Sequence, residues 1–352
     1  MGRASFGLGN PRVRVMTTML KSLGKAGMLV AAAAIFCSDA SAQTVIKFSL
    51  DFKIEGPAAP FLVAVDKGYF KAEGLDVTID TAAGSLEPIN RVASGAYQMG
   101  FGDINSLIKF RDANPSNPVK AVFMVYNKPA FSIIGRKSRG VEKPKDLEGK
   151  ILGAPAADGA FAQWRIFAKV NEINTSKVKI ENVGFPVREP MLASGQIDAV
   201  TAMSYYSYID LKDRGVPAND INVMLMGDYG VKLYGLSIMT SEKFAQEHPD
   251  AVRGFLRAFG KGVKETIAKP THAVQLVLKR DSALHKDLEL ERLKMTINDN
   301  IVTPETKAHG YGGIDPQRLN AAIDQIAAAA EFKKKPKAED VFDASFLPQR
   351  KD

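Results

Sequence analysis

The chain has 352 residues, 47 Lys and Arg against 39 Asp and Glu, a formal net charge of +8, and 45% hydrophobic residues. That mixture excludes a disordered, collagen-like or disulfide-stapled polypeptide, and the length predicts about two domains whose cores need no covalent staple. One Cys makes neither an intramolecular disulfide nor a Cys-rich metal site, four His leave little for a multi-His centre, and no cofactor is expected.

Positions 1–25 carry Arg3, Arg12, Arg14, Lys21 and Lys25 and no acid; a 12-residue apolar run follows at 26–37, then Ala40, Ser41 and Ala42. A basic start, a short apolar stretch and a small-residue site predict a cleavable secretory signal peptide over residues 1–42. The run falls short of the roughly 20 residues that span a bilayer. Phe36 before Cys37 does not suit a lipid-attachment site. Without residues 1–42 the chain keeps 42 basic and 38 acidic residues, a net +4 over 310 residues, and no Cys. Half the basicity therefore sits in the targeting segment, and no nucleic-acid partner is expected, because such binding needs clustered cations. The exported chain is expected to be soluble, with no later apolar run of about 18 residues.

In chain order, residues 45–52 read as a strand, 61–70 as a helix, 75–79 as a strand, 87–94 as a helix, 99–101 as a strand and 104–111 as a helix. Residues 119–126 and 130–136 read as strands. A second unit repeats the order, with strands at 150–153, 178–183, 199–202 and 221–225 and helices at 159–170, 190–194 and 206–214. A strand at 233–239 precedes a helical stretch: 242–248, 249–268, 272–279, 288–295 and 316–332. The lysine run at 333–337 reads as a solvated charge run. Gly74, Gly95 and Gly195 follow predicted helix ends and suit left-handed caps. Alternating elements predict an α/β fold with parallel pairs and right-handed crossovers. The two apolar strands at the edges of the middle segment, 130–136 and 233–239, are the natural crossings between two lobes. The helical tail would then fold back on the first lobe and leave a ligand cleft.

Residues 67–77 (KGYFKAEGLDV) resemble the KGYFKxEGLDV block of periplasmic solute-binding proteins of ABC importers, in the branch that takes nitrate, taurine, other sulfonates or thiamine pyrimidines. Residues 146–153 (DLEGKILG) are similar to that family's DLxGKxxG block, 193–199 (ASGQIDA) to its LxxGQxDA block, and 241–258 to its late helix pair. The resemblance covers about residues 47–332. It implies a two-lobed type II binding-protein fold with lobe 1 at 43–136 plus 232–332, lobe 2 at 137–231 and a tail at 333–352. It also implies a monomer in the periplasm that closes on a small-molecule ligand and docks on an inner-membrane ABC permease with its ATPase. Most of these blocks are scaffold and say little about the ligand.

Ligands of α/β sheets sit at strand C-termini and helix N-termini, which selects loops. Phe52, in the loop 51–60, either stacks on a planar ligand or joins the core. Ser85 either donates to ligand or caps the helix after Gly84, and Asp103 and Asn105 present the same choice. Tyr126 and Asn127 stand at the first crossing. In the second lobe the loop 154–161 offers Asp158 and Gly159 before a helix, where family members hold an anionic or polar group. The carboxylate of Asp158 argues against a full anion. Trp164, the one Trp, reads as core. Ser204 and Tyr205, with Tyr206, would form the far wall, and Tyr229 and Tyr234 flank the second crossing. Aromatics with Asn, Asp and Ser describe a small polar ring better than nitrate or a sulfonate. The alternative is an enzyme resembling eukaryotic thiamine-pyrimidine synthases. That branch carries a Cys-rich motif which residues 43–352 lack, and His248, His272, His285 and His309 all lie in the late helical region.

Overall fold

The structure, a computed structural model, describes residue 2, residues 43–116 and residues 118–348. The signal-peptide reading of residues 1–42 lies outside the described residues, apart from residue 2. Ten strands form two sheets: β1 Thr44–Ser49, β2 Leu75–Asp80, β3 Met99–Asp103, β4 Val119–Met124, β5 Phe131–Arg136, β6 Ile151–Gly153, β7 Lys179–Glu181, β8 Ala199–Met203, β9 Ile221–Leu225 and β10 Leu236–Ser241. The first sheet runs β2-β1-β3-β10-β4 and the second β7-β6-β8-β5-β9. In each, one strand is antiparallel to both neighbours: β10 lies against β3 and β4, and β5 against β8 and β9. This is the two-sheet α/β architecture expected from the alternating elements.

β5 lies wholly in the second sheet, and the chain crosses ahead of it, through residues 125–130. The return crossing is residues 226–235, ahead of β10. The strands read as crossings therefore each belong to one sheet, since an apolar strand is most stable fully paired. The two crossings touch: the Gly235 N–H donates to the Tyr126 carbonyl at 2.9 Å, and a Cβ on Gly235 would come within 2.8 Å of that oxygen.

Local chemistry explains the helices that place the site. Pro60 opens α1 (Ala59–Asp66), which is buried along most of its length beneath α7 (Pro249–Ala268). Phe48, Phe61 and Phe259 stack between them, with ring centroids 5.0 and 4.4 Å apart. α1 stops before Gly68, whose φ of +69° interrupts the helix expected over 61–70, and a short separate helix resumes at Tyr69–Ala72. Gly74, Gly95 and Gly195 all take positive φ, as capping requires. Between these helices come α2 (Leu86–Ala93), α3 (Ile104–Ala113), α4 (Trp164–Val170), α5 (Phe185–Ser194) and α6 (Ser204–Asp213). α5 starts five residues earlier than Pro190 suggested. Pro186 fills the first-turn position that favours proline, and Pro190 sits inside the helix. After α7 come α8 (Pro270–Leu278), α9 (Lys286–Met295) and α10 (Pro316–Ala327). The tail continues past the lysine run: Val341, Phe342 and Phe346 are buried with Phe123 in the first core, and the Asp343 N–H donates to the Ala121 carbonyl at 2.9 Å. No helix among the described residues is long and apolar enough to cross a membrane.

Candidate functional site

The loops after β1, β2 and β6, the end of β8 and the start of α5 converge at the C-terminal edges of the parallel strands, where ligands of open α/β sheets bind. They enclose a cavity of about 20 Å³ lined by Asp51, Phe52, Gly84, Ser85, Asp158, Gly159, Phe185, Arg188, Met203 and Tyr206, which is room for a water molecule. Phe52, from the first-sheet side, sits 5.1 Å from the Phe185 ring and 4.9 Å from the Tyr206 ring, both from the second-sheet side. The same seam brings a hypothetical Cβ of Gly84 to 2.5 Å from the Ala157 carbonyl oxygen, at a φ of +97°. A Gly84→Ala variant is therefore expected to hold the two sides apart and weaken ligand binding by about tenfold or more, at a stability cost of about 1–3 kcal/mol. Calorimetric titration showing undiminished affinity would refute that role for the contact.

The polar groups around the rings are buried. Asp51 is 8% exposed, and burial, reinforced by the charges of Asp158 and Glu55, pushes its carboxyl up to about 7. Asp158 is also raised by burial, against the pull of Arg188 and of hydrogen bonds from the Ala160 N–H at 3.1 Å and the Thr201 hydroxyl at 2.9 Å. Arg188 Nε donates to Glu189 at 2.7 Å, its Nη1 donates to the Thr201 carbonyl at 3.2 Å and stands 3.8 Å from Asp158, and the Ser207 hydroxyl donates to Glu189. The guanidinium lies 5.4 Å over the Phe185 ring. Arg188 is thus already balanced by two carboxylates. With Asp51 added, the cavity disfavours a bare anion and suits a planar ring that presents both donors and acceptors.

Four of the eleven residues selected from sequence line this cavity: Phe52, Ser85, Asp158 and Gly159. The others stand elsewhere for identifiable reasons. Asp103 caps α3, accepting from the N–H groups of Asn105 and Ser106 at 3.0 and 2.8 Å, and takes a 3.2 Å bond from Gln163 across the seam. Asn105 Nδ2 donates to Asp103 and to the Tyr234 carbonyl, both at 2.7 Å, while its Oδ1 is buried without a hydrogen-bond partner among the described residues. Tyr126 is buried with its hydroxyl paired to Tyr205, and Tyr205 is wedged between Tyr126 and Tyr206. Asn127 faces a separate cleft, accepting from Thr303 at 2.9 Å and Arg318 at 3.1 Å. Ser204 is buried and donates its N–H to the Ala130 carbonyl at 2.8 Å. Tyr229 packs on Phe167 at 6.1 Å. Trp164 is core, as expected. Phe185, Arg188 and Met203 went unnoticed. The first two lie in the part of α5 ahead of Pro190, and the Pro186 signal would have found them.

With this geometry in place, the comparisons decide the family. A family model described as NMT1/THI5 like matches residues 57–273. The chain belongs to that family. Among similar proteins, the formylaminopyrimidine-binding protein of Halalkalibacterium halodurans is 25% identical over 307 residues, 87% of this chain and 91% of that protein. A 4-amino-5-hydroxymethyl-2-methylpyrimidine phosphate synthase of Schizosaccharomyces pombe is 24% identical over 247 residues, 65% of this chain and 68% of the enzyme. Among solved structures, the alkanesulfonate-binding protein of Xanthomonas axonopodis bound to MOPS superposes with a TM-score of 0.66 at 14% identity, covering 86% of this chain and 98% of that one. The fold is that of the periplasmic binding proteins.

Proposed function

We propose that this chain is the extracytoplasmic solute-binding component of an ABC importer and captures a small planar nitrogen-containing ring between two lobes. The observation that carries the reading is the cavity itself. Three aromatic rings from both sides of the seam surround two buried carboxyls, one held near neutrality, and an arginine already compensated. A neutral carboxyl donates and a carboxylate accepts, so the pair matches the ring nitrogen and amino group of an aminopyrimidine. The relative named for formylaminopyrimidine binding supports the same class. A cavity of about 20 Å³ admits no such ring, so the lobes part to load it. The closed form is the one the permease reads.

The finer organisation belongs to this proposal: export by cleavage of residues 1–42, a periplasmic monomer, and a permease with its ATPase as partners. Lobe 1 would take 43–136 plus 232–332 and lobe 2 137–231, with the first boundary drawn back to about residue 130 because β5 pairs in the second sheet. The tail from 333 then covers the edge of lobe 1.

The test is a titration of the purified protein with 4-amino-5-hydroxymethyl-2-methylpyrimidine, taurine and nitrate. The pyrimidine is expected to bind near 1 μM, about −8 kcal/mol, with the two anions at least 100-fold weaker. Tighter binding of either anion would overturn the reading. The second reading, an enzyme, is favoured by the synthase relative and by a carboxyl poised near 7 beside another acid. None of the ten lining residues is Cys or His. Conversion of the pyrimidine during that titration would establish the enzyme.

A further inference from the structure

We infer that Arg292, which lies outside the ligand cavity, is the positioning residue that locks its Tyr206 wall to the loop carrying Asp51 and Phe52. The inference rests on the proposed ligand site. Arg292 lies on α9, on the first-lobe side: Leu293 and Ile297 pack with Ala59, Leu62 and Val63 of α1. The helix is tied to the loop after β1, because the Gly56 N–H donates to Glu289 Oε2 at 2.6 Å and a Cβ on Gly56 would reach 2.5 Å from the Glu289 carbonyl. There is no slack between α9 and the segment that begins at Asp51.

From that fixed base Arg292 reaches across the seam. It is 3% exposed. Its Nη1 donates to the carbonyls of Tyr205 and Tyr206 at 3.1 and 3.2 Å, and its Nη2 donates to Asp210 Oδ1 at 2.8 Å. Nε donates to Glu289 at 3.2 Å, Glu55 Oε2 stands 3.5 Å from Nη1, and the guanidinium lies 5.5 Å over the Tyr206 ring. Lys212 adds a second bridge between the same helices, at 2.7 Å from Glu291. One planar fork therefore holds the backbone and the ring face of the residue that forms the cavity's aromatic wall. A lysine keeps the charge but has neither the fork nor the stacking plane. Closing the lobes assembles this arrangement, so part of the free energy of closure resides outside the cavity and acts on the ligand only through Tyr206.

A double-mutant cycle separates this role from a general structural one. Arg292→Lys is expected to weaken 4-amino-5-hydroxymethyl-2-methylpyrimidine about tenfold, chiefly through faster dissociation, whereas in a Tyr206→Leu background the same change should cost less than about twofold. Equal losses in both backgrounds, or no loss in either, would overturn the inference. Should Arg292→Lys fold poorly, Asp210→Ala cuts one arm of the fork at a side chain that is 31% exposed, with the same expected pattern. A second readout needs no ligand. Residues 43–352 contain no Cys, so spin labels at Leu86→Cys and Val187→Cys, exposed residues each two positions from the Gly84–Phe185 contact, report the seam alone. Arg292→Lys should lengthen or broaden the distance distribution of the ligand-free protein, and an unchanged distribution refutes the lock. If the parent protein fails to bind the pyrimidine, the functional reading falls while these distances still decide the role of Arg292.

Discussion

Asp51→Asn is expected to raise the stability of the ligand-free protein at pH 8 and at the same time to keep a hydrogen-bond donor for a pyrimidine. Burial places the Asp51 carboxyl near 7 in the folded state, against about 3.9 in an unfolded chain. Below pH 4 both states hold the proton, and Asp51 contributes no penalty. Between about pH 4 and pH 7 the folded state keeps a proton that the unfolded state has lost, so stability falls as pH rises. Above 7 the loss levels off at about 4 kcal/mol. An asparagine has no proton to lose and should remove this group's share of the slope. Glu55, also pushed up to about 7 by burial, would keep its own. Urea unfolding of both proteins at pH 5 and pH 8 measures the effect. A stability difference that does not change between the two pH values would show that Asp51 ionises freely. The same substitution exchanges the hydroxyl donor of a neutral carboxyl for an amide N–H donor, so a pyrimidine held by a neutral Asp51 should still be captured.

Arg188→Met should have the opposite sign and a similar size. Arg188 is 3% exposed and stands between Asp158 and Glu189, which are 5% and 4% exposed. Removing one partner of a buried ion pair leaves uncompensated charge in the interior and typically costs about 3–5 kcal/mol. Loss of that order in chemical denaturation is expected for Arg188→Met. Combining it with Glu189→Gln should restore part of it, since one of the two stranded carboxylates is then gone. A single variant as stable as the parent would mean that water or a neighbouring cation already compensates the pair.

Much of the scaffold is legible in the sequence because it depends on local chemistry. Alternating strand and helix patterns, glycines after helix ends and the C-terminal loops of parallel strands lead to Phe52, Ser85, Asp158 and Gly159 without any structure. The residues that stand away from this cavity share a physical reason for doing so. Asn105, Tyr126 and Asn127 are polar or aromatic residues near a cleft, but Asn105 Nδ2, the Tyr126 hydroxyl and Asn127 Oδ1 already pair with Asp103, Tyr205 and Thr303, and such partners are distant in sequence or set by side-chain direction. Phe185 and Arg188 were hidden by two prolines competing for one helix start. Arg292 carries no sequence signal toward the cavity, because its partners across the seam, Tyr205, Tyr206 and Asp210, lie more than 80 residues away.

The insertion of β10 between β3 and β4 has a consequence for the order in which the chain acquires its structure. Leu236 pairs with Asp103, and Ser241 with Val119, so the middle of the first sheet waits for a segment made more than a hundred residues later. The second sheet draws on the contiguous stretch from β5 to β9 and can be complete before that segment arrives. Contacts between remote segments form slowly because their loop entropy is lost first. Residues 131–225 can therefore pair among themselves first, and the edges flanking the missing strand are the part of a nascent chain most exposed to mispairing.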